Sequence, residues 1–384
     1  MMKDRIELVY FNAGGGHRAS ALALEAVIRS SALPWDVHLV NLAQMLDPQE
    51  RFRRATGMAP EDFYNLRLAR GWTLGLAQEL KLLQVAIRLG HRTMVRILRR
   101  RWLESRPDLV VSLIPNFNRA LCAALVSARP TTPYVSVITD LADYPPHFWI
   151  EPDIPQHVIC GTPRALEQAH ALGLPASQVH AVSGMILHPR FYSSDISAED
   201  RRRGRLALGL PAEQSAGMVM FGGHGAPAML RIAQQLPDTP LLLICGHNAR
   251  LAASLRALPS HAPHVVLDYV SDMPRCMRLC DFFIGKPGPG AISEAVHQQL
   301  PVIVARNALT MPQERFNAQW VREQRVGLVL RSFSGVAPAV RELCDRLPDF
   351  RARTQQICNR AVFEIPVILE RILQQARAAL PRSA

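Results

Sequence analysis

Three glycine-rich segments, each between an apolar run and a helical pattern, have the composition of phosphate-binding turns. They are Gly14-Gly15-Gly16-His17, Gly222-Gly223-His224-Gly225 and Lys286-Pro287-Gly288-Pro289-Gly290. Glycine lets the backbone approach a ligand closely, and the helix that follows offers free N–H groups and the positive end of its dipole. A tight turn without a ligand is the alternative. None of the three is the G-x-G-x-x-G fingerprint, so a nicotinamide enzyme is not expected.

Carboxylate and amide side chains follow the third of these segments. Glu294 falls about one turn into the predicted helix, where its carboxylate can accept two hydrogen bonds from a ribose diol. A favourable charge in the first turn of the helix is the alternative. Gln313, Glu314 and Asn317 precede or begin the next helical pattern and suit the hydroxyl groups of a sugar, although polar caps of this kind are common.

Two residues are candidates for a general base. His17 follows three glycines, and its ordinary pKa of about 6.5 suits proton transfer. Asp140 ends an apolar run, and Asp143 follows in the same loop. A structural role is the alternative for the histidine, and a helix cap for the acids. Because no Asp-x-Asp triplet occurs in the chain, we expect helix N-termini and Lys286, rather than a metal ion, to neutralise a bound diphosphate.

Short apolar runs alternate with longer helical patterns, as in parallel sheets covered by helices on both faces. We therefore predict an α/β protein of two doubly wound domains, residues 1–192 and 193–361, with the charged stretch Ser193–Arg205 as linker. A C-terminal helix over 362–384 can pack back on the first domain. The runs are Ile6–Phe11, Val37–Leu42, Leu109–Ile114, Tyr134–Thr139, His157–Cys160, Val179–Ser183, Gly217–Phe221, Pro240–Cys245, Val265–Asp268, Phe282–Gly285, Val302–Ala305 and Gly327–Leu330.

Most of the excess positive charge lies in one segment. The whole chain has a formal net charge of +12, and Arg51–Trp102 contains eleven Arg and one Lys against three acids. Apolar residues recur there at helical spacing, which predicts a helix lying on an anionic membrane surface. A helix packed on the core with a solvated basic face is the alternative. The apolar set is Leu80, Leu83, Ile87, Met94 and Ile97, and the predicted membrane-binding set is Arg88, Arg92, Arg96, Arg99, Arg100, Arg101 and Trp102.

Other sequence features bear on compartment and partners. The seven scattered cysteines form no C-x-x-C pair, which favours a reducing compartment and argues against structural zinc. The N-terminus lacks a signal-peptide pattern, and no stretch reaches the ~18 apolar residues that span a bilayer. No recognised nucleic-acid motif occurs, so nucleic acid is not an expected partner. We expect a cytoplasmic protein associated peripherally with the inner face of the membrane.

Taken together, the motifs resemble those of the family 28 glycosyltransferases of the GT-B fold, especially the monogalactosyldiacylglycerol synthase branch. The family also includes the peptidoglycan N-acetylglucosaminyltransferase that acts on lipid I. The matching segments follow the family's order over nearly the whole chain. They are Gly14-Gly15-Gly16-His17-Arg18-Ala19-Ser20-Ala21, Ile138-Thr139-Asp140-Leu141, Lys286-Pro287-Gly288-Pro289-Gly290 with Glu294, and Gln313-Glu314 with Asn317.

The resemblance implies a role for each of these positions. The second domain would bind a UDP-sugar, with Glu294 on the ribose, the backbone near Val270 on the uracil, and Gln313 and Glu314 on the sugar. The first domain would hold the acceptor at Gly14, Gly15 and Gly16, with His17 at the cleft. The residues implied around the diphosphate are Gly222, Gly223, His224, Lys286, Gly288 and Gly290.

The predicted activity is inverting transfer from a UDP-sugar to a diacylglycerol-like lipid, giving a β-linked glycolipid. The UDP-sugar would be a co-substrate, and neither a cofactor nor a metal is expected. Two alternatives remain open from the sequence. One is a UDP-sugar epimerase or hydrolase of the same fold, and the other is a non-catalytic nucleotide-sugar-binding protein.

Overall fold

The computed structural model of the protein describes residues 3–379 apart from 13–14, 48, 51–52, 55–56, 58–75, 145, 194–195 and 309. The described residues form two compact units. The first consists of the chain up to Pro189 together with the residues from Asn359 onwards, and the second is Arg190–Cys358. Among the described residues, the chain passes to the second unit after Pro189 and returns to the first at Asn359 for its last helix.

The first unit contains a six-stranded sheet in the order β2-β1-β3-β4-β5-β6, and every neighbouring pair is parallel. Each strand falls on a predicted apolar run. The central strands are buried on both faces, which is why they are continuous apolar runs rather than alternating ones. The strands are β1 (Asp4–Tyr10), β2 (Trp35–Asn41), β3 (Leu109–Ser112), β4 (Tyr134–Val137), β5 (His157–Cys160) and β6 (Val179–Ala181).

The second unit repeats this arrangement with the strand order β12-β11-β10-β7-β8-β9, again parallel throughout. The predicted fold class, two doubly wound α/β arrangements, is therefore confirmed. The strands are β7 (Gly217–Met220), β8 (Leu241–Ile244), β9 (His264–Leu267), β10 (Phe282–Gly285), β11 (Val302–Ala305) and β12 (Gly327–Leu330).

Helices make the crossovers that parallel strands require. Those of the first unit are α1 (Gly16–Ser30), α2 (Leu42–Leu46), α3 (Leu76–Ser105), α4 (Asn118–Ala128), α5 (Pro163–Ala171) and α14 (Ala361–Ala378). Those of the second are α6 (Ala198–Leu208), α7 (Ala228–Gln235), α8 (Ala249–Arg256), α9 (Met273–Arg278), α10 (Pro289–His297), α11 (Arg315–Gln324), α12 (Val336–Asp345) and α13 (Leu347–Gln355). The last helix, α14, packs against α1, so the C-terminal segment belongs to the first unit.

The strand order creates a switch point beside the first strand of each sheet. In the first sheet the chain runs from β1 to β2 on one side and then crosses to β3 on the other. In the second it runs from β7 to β8 and β9, and later returns to β10 on the other side of β7. The connections diverge at the carboxyl ends of β1 and β7 and leave a crevice there, where doubly wound sheets bind ligands.

The stretch predicted to be the linker is largely a helix of the second unit. Ser197 caps α6, and Arg205 on this helix is buried. The Arg205 guanidinium binds the carboxylate of Asp281, which also accepts hydrogen bonds from Arg201 and from the backbone N–H of Ala216. The linker prediction is wrong because the charged residues have a buried partner that lies far along the chain.

Replacing Asp281 with Asn should lower the free energy of unfolding of the second unit by about 3–5 kcal/mol, because Arg201, Arg205 and Arg351 all lose their charged partner. Burial alone raises the pKa of Asp281, but the Ala216 N–H and the three guanidinium groups outweigh it and hold the pKa below its ordinary value. The carboxylate therefore stabilises the fold above about pH 4, and this contribution is lost as the pH falls through the lower pKa of the folded state.

Hydrogen exchange of the β7 and β10 amides, followed in urea, measures this loss. The matched control is Asp238→Asn, because Asp238 is exposed and pairs with His261 at the surface. The control should change stability by less than about 0.5 kcal/mol. Wild-type exchange in the Asp281→Asn protein would contradict a central role for this carboxylate.

Candidate functional site

The glycine loop after β1 carries His17 to the crevice of the first sheet. Gly15 precedes α1 with a φ of 80°, a left-handed conformation that favours glycine. Within the described residues, no atom lies within 4 Å of the place where a side chain would begin at Gly15 or Gly16. A ligand therefore has room to approach the free N–H groups of the helix. Gly14 lies outside the described residues.

Residues from the loops after β3 and β4 surround the His17 ring. Its Nδ1 lies 3.2 Å from Thr139 Oγ1, and its centroid lies 5.9 Å from that of the Trp149 indole. Burial lowers the pKa of His17 to about 4, although a hydrogen bond with the backbone of Leu113 partly opposes this shift. The imidazole is therefore neutral at physiological pH and can accept a proton, although it is a weaker base than a histidine with the ordinary pKa of about 6.5.

The two acids of the β4 loop both bind Trp149. Asp140 Oδ2 accepts a hydrogen bond from the indole Nε1 at 2.8 Å, and Asp143 Oδ1 accepts one from the Trp149 backbone N–H at 2.8 Å. Both acids are buried. Asp140 thus positions the indole that contacts His17. This contact favours a positioning role for Asp140 over its role as a second candidate base. The sequence did not single out Trp149, because no local pattern indicates which side chains a loop tryptophan will contact.

A charged cavity of about 470 Å³ lies in the same loops of the first unit. Asn116 and His147 line it with φ values of 67° and 53°, and such strain in residues other than glycine clusters at functional sites. The Asn116 N–H donates to the carbonyl oxygen of Phe148, the neighbour of Trp149, so the cavity and the His17 group share a loop. The charged residues lining the cavity are Arg88 and His91 from α3, Arg119 from α4, and His147 and Glu151.

In the second unit, the loops after β7 and β10 meet at the switch point. Gly222 has a φ of 73°, and Lys286 Cε lies 3.9 Å from the place where a Cβ of Gly222 would stand. Gly223 and His224 are exposed. Gly288 directly precedes α10, and within the described residues no atom lies within 4 Å of a Cβ placed on Gly290. The two loops together offer open backbone N–H groups and one ammonium group to an anion.

Lys286, Glu314 and Asn317 form a supporting network behind the β10 loop. Lys286 Nζ donates to Glu314 Oε1 at 2.9 Å, and Glu314 is buried. Asn317 is fully buried, and its Nδ2 donates to the Pro287 carbonyl oxygen at 2.9 Å. Asn317 Nδ2 thus helps to position the loop, while its buried Oδ1 has no hydrogen-bond partner among the described residues, and contact of Asn317 with a ligand stays a prediction. Gln313 is half-buried, and within the described residues its Nε2 has one acceptor, the weak acceptor Met311 Sδ, at 3.7 Å.

Glu294 lies one turn into α10 with a half-buried side chain. No side chain or backbone N–H of the described residues forms a hydrogen bond or ion pair with its carboxylate. Burial raises the pKa of Glu294 to about 7. A carboxylate that is partly removed from water and has no partner is destabilised, so this group is poised for a ligand that donates hydrogen bonds.

Three exposed rings follow the carboxyl ends of β7, β8 and β9. His247 stacks on Tyr269 with centroids 4.7 Å apart, and His224 lies 6.0 Å from His247 in a tilted arrangement. Val270, the residue implied near uracil, adjoins Tyr269 in sequence. Sequence reasoning missed His247 and Tyr269, because they lie on separate loops and only the parallel sheet brings them together.

The basic helix α3 packs on the first unit through a face that includes part of the set predicted to bind a membrane. Met94 packs with the core around Leu98, and Trp102 is 0% exposed in that core. The assignment of Trp102 to membrane binding is wrong, because the helix buries this side of itself. The most exposed apolar side chains are Leu82 (67% exposed), Val85 (51%) and Leu89 (83%), which share one helical face, and Leu83 of the predicted set is 46% exposed.

The six arginines of the predicted membrane set divide into two kinds. Arg92 and Arg96 are exposed and pair with no carboxylate of the described residues. Each of the other four has a partner or lining role within the first unit: Arg88 lines the charged cavity, Arg99 donates to Ser127, Arg100 pairs with Glu104, and Arg101 lies 3.7 Å from the buried Glu7. In the part of the chain that the structure describes, no helix is long and apolar enough to cross a bilayer.

Over the same described residues, no group of three or more His, Cys, Asp or Glu side chains is arranged to hold a metal ion. Independence from metal stays a prediction.

Two curated relatives match most of the chain. Monogalactosyldiacylglycerol synthase of Spinacia oleracea is 26% identical over 367 residues, which cover 88% of this chain and 65% of the synthase. Monogalactosyldiacylglycerol synthase 2 of Arabidopsis thaliana is 27% identical over 291 residues, which cover 71% and 60%. The chain thus spans less than two thirds of the length of these relatives. No family model matches the chain.

Solved structures share the fold at low sequence identity. MurG of Acinetobacter baumannii superposes with a TM-score of 0.60 at 12% identity, covering 96% of this chain and 99% of MurG. The UDP-GlcNAc 2-epimerase of Neisseria meningitidis gives 0.58 at 14%, covering 97% and 100%. These neighbours and the two parallel sheets confirm the GT-B fold. Together with the curated relatives, they confirm the predicted resemblance of this chain to the family 28 glycosyltransferases in their monogalactosyldiacylglycerol synthase branch.

Proposed function

We propose that the protein is an inverting glycosyltransferase that moves a sugar from a UDP-sugar to a lipid at a membrane surface. Glu294 carries the proposal, because its half-buried carboxylate, near the start of α10, has no partner among the described residues. A ribose diol would supply the two hydrogen bonds that the carboxylate lacks. The names of the relatives support galactose as the sugar and diacylglycerol as the acceptor.

The remaining contacts to the donor follow from the loops of the second unit. The glycine loops at the switch point would hold the diphosphate on the N-termini of α7 and α10. The exposed rings of His247 and Tyr269 offer a flat surface near Val270 for the uracil base. Gln313 is free to exchange its weak thioether contact for a sugar hydroxyl. Glu314 would act by orienting the Lys286 ammonium towards the donor.

In the proposed reaction His17 accepts the proton of the acceptor hydroxyl as its oxygen attacks the anomeric carbon. The bond from that carbon to the diphosphate breaks on the opposite face, so an α-linked donor gives a β-linked product. Lys286 and the helix N-termini stabilise the charge on the departing UDP, and we propose that no metal is needed. Because burial keeps His17 neutral at pH 7, the ring starts in the state that can take the proton.

The first unit would bind the lipid acceptor and contact the membrane surface. The charged cavity beside the β3 and β4 loops suits the polar part of an acceptor, since it offers Arg88, His91 and Glu151 to hydroxyl groups. We propose that Leu82, Val85 and Leu89 enter the interface while Arg92 and Arg96 meet anionic headgroups. This surface would attach the protein peripherally to the inner face of the membrane.

Incubation with UDP-galactose and diacylglycerol in anionic vesicles should give a glycolipid identified by mass, and excess EDTA should leave the rate unchanged. His17→Ala should lower turnover by ~10²–10⁴-fold, the usual contribution of a general base, with UDP affinity preserved. Asp140→Asn should cost much less, because its amide oxygen can still accept from the Trp149 indole.

Near-normal turnover of His17→Ala, with a large loss in Asp140→Asn, would shift the role of base to Asp140. Release of free galactose, or an epimerised UDP-sugar in the absence of lipid, would instead favour a hydrolase or the epimerase chemistry of the structural neighbour. UDP binding without any turnover would indicate a nucleotide-sugar-binding protein.

Glu294→Gln should weaken binding of a UDP-hexose at pH 8 by about tenfold or more, because hydrogen bonds to a charged group contribute about 1.5–3 kcal/mol each. Burial raises the pKa of Glu294 to about 7 in the free protein. The affinity of the wild type for the UDP-hexose should therefore rise between pH 6 and pH 8 as the carboxylate ionises. The variant should lose this dependence on pH. Calorimetry at the two pH values measures both effects.

Glu213→Gln is the control, because Glu213 is an exposed acid of the same unit. If Glu294→Gln retains both the affinity and the pH dependence of the wild type, Glu294 does not contact the donor.

Changing Leu82, Val85 and Leu89 together to Gln should reduce sedimentation with anionic vesicles at low and high salt alike, since apolar insertion is not screened. Changing Arg92 and Arg96 to Gln should reduce binding by about 2 kcal/mol, roughly thirtyfold, at low salt only. The control triple Leu172→Gln, Leu206→Gln and Val367→Gln removes exposed apolar groups elsewhere. Equal losses in the control triple would show that this face of α3 has no particular role.

A further inference from the structure

One cavity of the second unit is lined by none of the residues proposed to contact the donor, although part of its lining belongs to the β11–α11 segment that carries Gln313 and Glu314. It measures about 460 Å³ and lies where β11 and β12 end, beside α11. Half of its lining residues are arginines, namely Arg306, Arg315, Arg322 and Arg331. Neither the predicted donor site nor the membrane surface accounts for these four residues.

The topology brings the four arginines together from separate parts of the chain. Strands β11 and β12 pair in parallel with Ala305 opposite Leu330, so Arg306 and Arg331, the residues that follow, emerge side by side. The Arg306 N–H donates to the Leu330 carbonyl oxygen at 2.8 Å, which fixes this register beyond the strands. Arg315 and Arg322 lie two turns apart on one face of α11. Two strand ends and one helix face thus direct their basic side chains to one concave surface.

No acidic group compensates this charge within the described residues. None of the four guanidinium groups forms an ion pair or a side-chain hydrogen bond there, and no carboxylate lines the cavity. The two acids adjacent to these arginines in sequence are engaged elsewhere, since Glu314 is buried and bound to Lys286 and Glu323 accepts a hydrogen bond from Gln319. By contrast, three arginines elsewhere in the same unit converge on Asp281. Four like charges around one concavity raise the local concentration of anions.

We propose that this cavity binds a phosphate-bearing anion as a second site, distinct from the donor diphosphate site. The planar fork of arginine matches the oxygen pairs of a phosphate, and several forks can hold one group from different sides. A volume of about 460 Å³ exceeds the needs of a bare ion and suits a phosphate ester with a small organic group. The phosphate can come from a soluble ester or from the glycerol phosphate headgroup of a lipid.

The experiment uses the full chain with saturating UDP, so that phosphate probes cannot occupy the donor loops. Inorganic phosphate and glycerol 3-phosphate are titrated by calorimetry into the wild type and into Arg315→Gln/Arg322→Gln. The control is Arg231→Gln/Arg341→Gln, which removes the same charge from exposed positions of the same unit outside the cavity. We expect saturable binding that weakens at least tenfold in the cavity variant and is unchanged in the control.

A parallel arm measures sedimentation with vesicles that contain phosphatidylglycerol or only neutral lipid. A soluble source predicts that glycerol 3-phosphate binding alone responds to the cavity variant, whereas a lipid source predicts that binding to phosphatidylglycerol vesicles falls. Either response, absent from the control pair, supports the proposal. The proposal is overturned if neither probe distinguishes the two pairs, or if UDP affinity falls in step with phosphate affinity, since the cavity would then belong to the donor site.

Discussion

The position of the first strand within each all-parallel sheet is the constraint on which the rest of the molecule depends. Because β1 and β7 have later strands on both sides, their carboxyl ends open into a crevice where connections diverge. The loop that follows each strand must turn sharply into a helix, and glycine makes that turn possible. His17 and the Lys286 loop owe their location to this topology. Their chemistry follows from the burial that the same crevice imposes.

Two carboxylates of the second unit, Asp281 and Glu294, differ in whether the protein provides them with hydrogen-bond donors, and this difference distinguishes a structural role from a functional one. Asp281 has three arginines and a backbone N–H, so its charge is satisfied within the protein and fixes α6 and α13 to the sheet. Glu294 is surrounded by no such groups in the described chain, and its raised pKa reflects that lack. A carboxylate that already accepts hydrogen bonds within the protein gains little from a ligand, whereas one without such bonds is stabilised most by a ligand that donates them. The two acids therefore mark the two roles without reference to any relative.

The sequence predicted the elements better than the partners of individual side chains. All twelve strands coincide with apolar runs, because burial on both faces leaves a local signature. The face of α3 was not predictable in the same way, since the partly buried Leu80, Ile87 and Met94 and the exposed Leu82, Val85 and Leu89 both recur at helical spacing. Tertiary packing alone decides which set is covered. The same reason explains why the linker prediction was wrong. Arg205 pairs with Asp281, and no sequence pattern near Arg205 indicates this distant partner.

Burial shifts the pKa values of the two candidate site residues in opposite directions, lowering that of His17 and raising that of Glu294. It disfavours the ionised form of each, so His17 stays an uncharged base down to about pH 4 while Glu294 retains a proton until about pH 7. Acidification from pH 8 to pH 6 therefore reaches Glu294 long before His17. In the proposed enzyme, a loss of activity over that range arises from weakened donor binding, with the base still competent. Saturating donor should abolish the loss, because binding of the ribose diol favours the ionised carboxylate.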